Sequence, residues 1–489
     1  MSGQSMDAME ALFNPRRMAV IGASSNRGKW GHIIPANILR GGYKGELYLV
    51  NPRGGVIHGL PAYRKLEEIG KEIDLAMVTI PAQGVEEVFE DCGRAGVKAV
   101  IVISGGFGES SPEGRLLEES LVRTARKLGI RVVGPNTMGI YSAPWSLSAL
   151  MPPVRSHPGH IAFAAQSGNL GTQMLGWGSY RGIGFSRFVC VGNQCDFDFA
   201  DYLEYFARDD QTKAILLYVE GFKRPRRVLE LAREVNAVKP VVIYKAGLTQ
   251  AGGRAASSHS AALAGSGEIF RGMIRQGGMI QAETTEEMLD FSDALVKSPV
   301  PRGRRVGILT WGGGWGVVTA DLCERQGLEV LPLPDELKKG LDSVLPSYWS
   351  KGNPVDMVGV VDMDAHRRCL ELMASCPEYD IIISLGTINA TSAFGLSGQE
   401  NNEEDEKLAR AQKEYIRHKS AQFAQRAVEL MREFDKPVIT VGMPEKEVEF
   451  PEGNGLPRDD LCLYTNPERA VRVAAMLAER GEYLRSREV

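Results

Sequence analysis

The chain has 489 residues, 43% of them hydrophobic and 24% charged, and its 57 basic against 61 acidic residues leave a net charge of −4. That length predicts about three domains, each able to bury its own core, and the balanced charge argues against nucleic acid or an anionic membrane as the main partner. Seven cysteines without CxxC pairs indicate neither a disulfide framework nor a zinc site. No apolar run approaches the ~20 residues that span a bilayer, and a cytoplasmic protein is expected.

In chain order, Met18 to Gly22 is a short apolar run ending in glycine, followed by the small-residue turn Ala23 to Gly31 and a helix-compatible run from His32 to Leu39. Strand, turn and helix in that order form a unit whose backbone N–H groups and helix N-terminus suit an anion. The turn is neither a P-loop, since five residues separate Gly22 from Gly28 and Trp30 follows Lys29, nor a GxGxxG fingerprint. A structural tight turn and a nucleotide- or CoA-binding turn both remain open at this point. Further strands are expected at Glu46 to Val50, Leu75 to Ile80, Ala99 to Ile103 and Ile130 to Val133. Strands alternating with helices imply a doubly wound parallel sheet, with ligands beyond the carboxyl ends of its strands. Those ends are Gly22 to Ser25, Asn51 to Arg53, Ile80 and Pro81, Ser104 to Gly108, and Gly134 to Gly139.

A proline-bearing linker from Pro144 to Pro158 precedes a second series. Its strand Gly159 to Ala165 feeds the turn Gln166-Ser167-Gly168-Asn169 and a helix from Thr172 to Tyr180. Strands are expected at Phe185 to Val191, Ala214 to Val219 and Val241 to Ala246, the second of them ending in Glu220. Next comes Ala255 to Ser266, read as a loop of small residues around His259, then a helix from Glu268 to Arg275. A second linker, Pro299 to Arg304, opens a third series with a strand to Thr310, the turn Trp311 to Gly316, a helix from Val317, and strands at Ile381 to Leu385 and Pro437 to Val441. Core packing is the expected use of Trp311 and Trp315. The charged run from Asn401 to Glu406 leads into a helical stretch to Arg432 and is read as a solvated face. The boundaries are placed at 1–145, 146–298 and 299–489.

A lone histidine on a surface loop commonly does nothing, but a second crevice would gather His259 with Glu220 and the Ser167 helix start. An imidazole that attacks a phosphoryl group needs a carboxylate on its other N–H, and an anionic phosphohistidine suits a helix N-terminus.

The motifs Val20 to Ser24, Val50-Asn-Pro52, Ile80-Pro-Ala82, Gly106-Phe-Gly-Glu109, Gly134-Pro-Asn136, Gln166-Ser-Gly168, Val191-Gly-Asn193, Glu220-Gly221, and Ser258-His259 with Ala262 to Ser266 occur in this order. In them the chain resembles the nucleoside-diphosphate-forming acyl-CoA synthetase superfamily, the group of succinyl-CoA synthetase and ADP-forming acetyl-CoA synthetase, over nearly its whole length. It looks like an α-type chain. The resemblance implies a Rossmann-like CoA-binding domain followed by two flavodoxin-like CoA-ligase domains, and a reversible reaction of a small carboxylic acid, CoA and ATP through acyl phosphate and phosphohistidine to acyl-CoA, ADP and phosphate.

Position by position, it implies that His259 is phosphorylated, Glu220 orients it, and Gln166, Ser167 and Gly168 receive the phosphate. CoA is assigned to Gly22, Ser24, Ser25, Asn26, Arg27, Arg53, Ile80, Pro81, Ile103, Ser104, Gly105 and Asn136, and the acid to the neighbourhood of Thr172 and Asn193. Ser260-Ala261 replace the family's Thr-Gly after the histidine, and Ala removes a glycine's freedom to take positive φ. No ATP-grasp domain is recognisable before Val489, so ATP/ADP and Mg2+ are expected on a partner β chain, in an α2β2-like assembly or around a homodimer of α. The alternative is a non-catalytic CoA- or acyl-CoA-binding protein of the same fold.

Overall fold

The protein is described here from a computed structural model that covers residues 3–259, 267–360, 362–386, 403–442 and 460–487. It divides into two compact units, Met1–Ser292 and Asp293–Val489. The first unit carries two seven-stranded sheets and the second a five-stranded sheet. Among the described residues no helix is long and apolar enough to cross a membrane.

The first sheet runs Val56–Ile57, Leu60–Tyr63, Glu46–Val50, Arg17–Ile21, Leu75–Val78, Ala99–Val102, Arg131–Val133, parallel except for the pairing of the first two. Leu75–Val78 and Ala99–Val102 are buried at every residue, as central parallel strands covered on both faces require. Covering helices follow from their periodicity and caps. Val85–Arg94 turns Val85, Phe89 and Cys92 inward. Pro112–Lys127 starts with Pro at its first position and Ser111 accepting from the Gly114 N–H at 3.1 Å, and ends in Arg126 and Lys127, which suit the negative end of the helix dipole.

The second sheet runs Ile280–Ala282, Val241–Lys245, Ala214–Val219, Pro158–Ala165, Phe185–Cys190, Gly139–Ser142, Leu147–Leu150. Its last two strands form an antiparallel hairpin that pairs with Phe185–Cys190. The stretch Pro144 to Pro158, expected to be a linker, is therefore partly strand, and the boundary expected at residue 145 falls inside the hairpin. Pro144, Pro152 and Pro153 punctuate a short edge strand that lies outside the strand–helix rhythm.

The stretch around His259 also differs from its expected form. Gln250–His259 is helical, opened by the Thr249 hydroxyl accepting from the Gly252 N–H at 3.0 Å, so the chain up to His259 is not a loop. The small residues from Ala255 suggested a loop, but Gln250, Arg254 and the alanines are good helix formers. Ser260 and Ala261 lie outside the described residues, as does the rest of the stretch to Ser266.

In the second unit the parallel sheet runs Val355–Asp356, Val306–Thr310, Ile381–Leu385, Val438–Val441, Cys462–Tyr464. The helix after its glycine turn begins at Gly313, earlier than the expected Val317. Trp311 packs on this unit's core, whereas Trp315 is 57% exposed and does not.

One buried cation ties the N-terminal helix Gly3–Phe13 and the hairpin to the second sheet. Arg187, 3% exposed, pairs with Asp209 at 3.1 Å and donates to the Phe13 carbonyl, the Asn14 side chain and the Ser142 hydroxyl. Arg187→Met leaves Asp209 buried without its partner, and is expected to lower the stability of the first unit by about 3–5 kcal/mol, read as a lower urea midpoint; an unchanged midpoint would contradict this role.

Candidate functional site

The carboxyl ends of the first sheet's strands meet at one edge. Gly22 and Ala23 N–H groups donate to the Val50 carbonyl at 3.0 and 3.1 Å, and the Thr79 hydroxyl donates to the Ile21 carbonyl at 3.0 Å. The Ser104 hydroxyl donates to the Ile80 carbonyl, and Asn136 N–H donates to the Ser104 carbonyl at 3.0 Å. Gly22 has a φ of +88°, and a Cβ there would lie 2.7 Å from Ile80 Cγ2, so only glycine lets these two turns touch.

The expected CoA turn is braced from within and behind. The Ser24 hydroxyl accepts from Asn26 N–H at 3.1 Å, the Asn26 side-chain oxygen accepts from Gly28 N–H at 3.0 Å, and Asn51 Nδ2 donates to the Ala23 carbonyl at 2.6 Å. His32 Nδ1–H donates to the Ser24 carbonyl at 3.1 Å, and His58 Nε2–H to the His32 carbonyl at 2.8 Å. Ser25, Asn26, Arg27, Arg53 and Pro81 are exposed along this edge.

The second sheet presents its own strand ends to the same region. Gly168–Tyr180 is a helix with Ser167 at its cap, the hydroxyl accepting from Leu170 N–H at 3.4 Å. Gln166 Oε1 accepts both the Glu220 and the Gly221 N–H, at 2.9 and 3.0 Å, which joins two strand ends and seats Glu220, 9% exposed. The turn Gly192–Cys195 abuts the first sheet: Asn193 N–H donates to the Pro135 carbonyl at 3.0 Å and Cys195 N–H to the Gly134 carbonyl at 3.1 Å. A Cβ on Gly192 would lie 2.2 Å from the Pro135 oxygen.

Between these ends lies a cavity of about 570 Å3. Of the residues expected at a site, it gathers Asn136, Gln166, Asn193 and Glu220. Thr172 is not among them: it is 2% exposed and its hydroxyl bonds to the Gly168 carbonyl of its own helix at 2.9 Å. His259 ends its helix, and its side chain is outside what the structure describes.

The structure adds Glu109 and Glu118, to which the sequence reading gave no role. Asn193 Nδ2 donates to both carboxylates, at 2.5 and 2.8 Å, and Glu109 also accepts from Gly106 and Phe107 N–H at 2.6 and 3.2 Å. The available signal was Glu109 standing one turn past a strand end. Burial pulls the Glu109 carboxyl upward, but the donors from Asn193, Gly106 and Phe107 outweigh it and hold the group below the usual carboxylate range. Cys195 also lines the cavity, but burial pushes its thiol well up, so it stays protonated and is a poor nucleophile. Beside the site, burial pulls the Lys245 ammonium downward while the Glu220 charge opposes that pull. Among the described residues no group of three or more His, Cys, Asp or Glu could hold a metal ion.

Three family models match the chain: a CoA binding domain over residues 16–143, a succinyl-CoA ligase like flavodoxin domain over 158–295, and a ligase-CoA domain over 306–387. The alpha subunit of acetate–CoA ligase (ADP-forming) II of Pyrococcus furiosus is 37% identical over 478 residues, covering 97% of this chain and 98% of that one. The alpha subunit of enzyme I of the same organism is 42% identical over 382 residues, 77% of this chain and 82% of the relative. A longer relative, acetate–CoA ligase (ADP-forming) I of Archaeoglobus fulgidus, is 39% identical, and the match covers 56% of its length. Among solved structures, dinucleotide forming acetyl-coenzyme A synthetase 1 of Ca. Korarchaeum cryptofilum, in complex with phosphate and ADP, superposes with a TM-score of 0.85 at 32% identity, covering 99% of each chain.

A depressed folded-state carboxyl contributes stability that is present above its unfolded value and lost as pH falls through its folded value. Wild type is therefore expected to melt at a higher temperature than Glu109→Gln at pH 7, with the gap closing once pH falls below about 4; a gap independent of pH would contradict the assignment of an ionised Glu109.

Proposed function

The chain belongs to the family of ADP-forming acid–CoA ligases as an α-type chain, and from that premise we propose that its first unit carries both acyl transfer to CoA and phosphoryl transfer to His259. The observation that carries the reading is the single cavity shared by Asn136 at the first sheet's edge and Gln166 and Glu220 at the second's.

The reaction is reversible: carboxylic acid, CoA and ATP give acyl-CoA, ADP and phosphate. CoA lies along the first sheet's edge, its phosphates at Ser24, Ser25, Asn26, Arg27 and Arg53 and its arm along Ile80, Pro81, Ile103, Ser104 and Gly105, so that the thiol arrives beside Asn136. The cross-braced strand ends support this, since they form a continuous path with exposed donors at its outer end. The acid, as acyl phosphate, lies in the cavity with its phosphoryl group toward the Ser167–Gly168 helix start, where free N–H groups and the helix dipole favour an anion. His259 takes the phosphoryl group on one nitrogen while Glu220 holds the other N–H and stabilises the imidazolium that forms. Thr172 has no contact with acid in this account.

Acetate is the acid proposed first, on the names of the relatives. Nucleotide and Mg2+ are assigned to an ATP-grasp β chain, most simply in an α2β2 assembly. Support comes from the two subunit-alpha relatives and from longer relatives of which this chain spans about half. The domain division is kept as three parts, with the hairpin Gly139–Leu150 counted with the second sheet. The cytoplasm is the proposed compartment, in keeping with seven free cysteines.

With the partner chain, acid, CoA and ATP, His259→Asn is expected to lower thioester formation by on the order of 10⁴-fold or more while CoA binding, measured by calorimetry, changes less than about twofold. Full turnover in the variant would contradict phosphoryl transfer through this histidine.

A further inference from the structure

The Gln166 side chain is spent on one half only. Its Oε1 is occupied by the Glu220 and Gly221 N–H groups, at 2.9 and 3.0 Å. Because a carboxamide is planar and those two donors can be satisfied only by its oxygen, the amide cannot flip, and its NH2 is fixed on the opposite branch. No partner for that NH2 is found among the described residues, and Gln166 lines the 570 Å3 cavity together with Asn136, Asn193 and Glu220. The result is a preorganised two-hydrogen donor beside Glu220, one residue before the helix start.

We propose that the Gln166 NH2 donates to the acyl carbonyl oxygen, both in the acyl phosphate and in the tetrahedral intermediate of acyl transfer, and so is a catalytic residue of that half-reaction rather than a phosphate ligand. The proposal rests on the function proposed above. The phosphoryl group already has the helix start at Ser167–Gly168, while CoA's thiol comes from the side of Asn136. The carbonyl carbon must lie between leaving phosphate and incoming sulfur, which is the ground Gln166 borders.

The sulfur of CoA attacks the carbonyl carbon and a C–S bond forms, while the π pair moves onto oxygen and is held by the Gln166 N–H groups. The oxyanion's pair then returns to re-form the C=O, the bond from carbon to the phosphate oxygen breaks, and phosphate leaves with the electron pair of that broken bond while the thiol's proton is transferred to it. A donor aimed at the developing oxyanion acts where charge appears, and removing one such donor lowers kcat by about 10²–10³-fold.

Gln166→Glu separates the two uses of the side chain, because one carboxylate oxygen still accepts the Glu220 and Gly221 N–H groups while the other can no longer donate. The full chain is given acetyl phosphate, and two half-reactions are followed: acetyl-CoA formed on adding CoA, and phosphate incorporated into the chain without CoA. The added charge acts on both half-reactions, so the expected result is at least about a 100-fold loss of acyl transfer, a loss of phosphate incorporation smaller than that by about tenfold or more, and an unchanged CoA dissociation constant. Gln166→Met, which also abandons the two N–H groups, is expected to lose acyl transfer similarly and to melt lower. Equal losses in both half-reactions would make Gln166 a phosphate ligand and overturn the proposal, as would retained acyl transfer in Gln166→Glu. Wild-type protein that makes no acetyl-CoA from acetyl phosphate would instead remove the underlying reading.

Discussion

The site depends on a short set of backbone hydrogen bonds between two strand-end turns. Gly134-Pro135-Asn136 ends a strand of the first sheet and Gly192–Cys195 ends one of the second, and the Asn193 and Cys195 N–H groups donate to the Pro135 and Gly134 carbonyls. A parallel sheet presents ligand sites only where its strands end. Locking two such edges face to face turns two open crevices into one cavity, and Gly192 is required because any Cβ there would collide with the Pro135 oxygen. Asn193 is thereby held in place: its backbone holds the turn and its Nδ2 ties Glu109 and Glu118 into the wall.

This arrangement sorts the site's polar groups by their chemistry. Carboxylates that accept several N–H bonds, such as Glu109, are stabilised in the charged form and serve as wall. Neutral amides with a fixed orientation, such as Gln166, offer donors without adding charge beside a phosphoryl group. The buried Cys195 thiol is held protonated and is a poor nucleophile, which is consistent with the proposed reaction using the incoming thiol and a histidine instead.

Much of this was legible in the sequence. Apolar runs ending in small-residue turns located the central strands and their carboxyl ends, because a buried parallel strand must be apolar throughout and its ligand turn must admit a backbone approach. Gln166, Glu220 and Asn136 were found on that logic and meet in one cavity. The hairpin Gly139–Leu150 was missed because an antiparallel edge pair gives neither a long apolar run nor a following helix. Thr172 was assigned to the acid by resemblance alone, and no sequence pattern shows that its hydroxyl folds back on the Gly168 carbonyl. Glu109 and Glu118 lie nine residues apart in chain order but share one amide of the second sheet, a long-range contact that no local pattern encodes. The small residues from Ala255 read as a loop, yet the chain from Gln250 to His259 forms a helix.

The central claim is that the first sheet's edge delivers CoA's thiol into the cavity bordered by the second sheet. A crystal structure of the chain with CoA tests it directly. The account predicts the nucleotide end at Ser24 to Arg27 and the sulfur inside the cavity, between Asn136 and the Gln166–Glu220 pair. A CoA molecule whose sulfur lies outside that cavity, or whose phosphates bind elsewhere than the turn after Gly22, would contradict it.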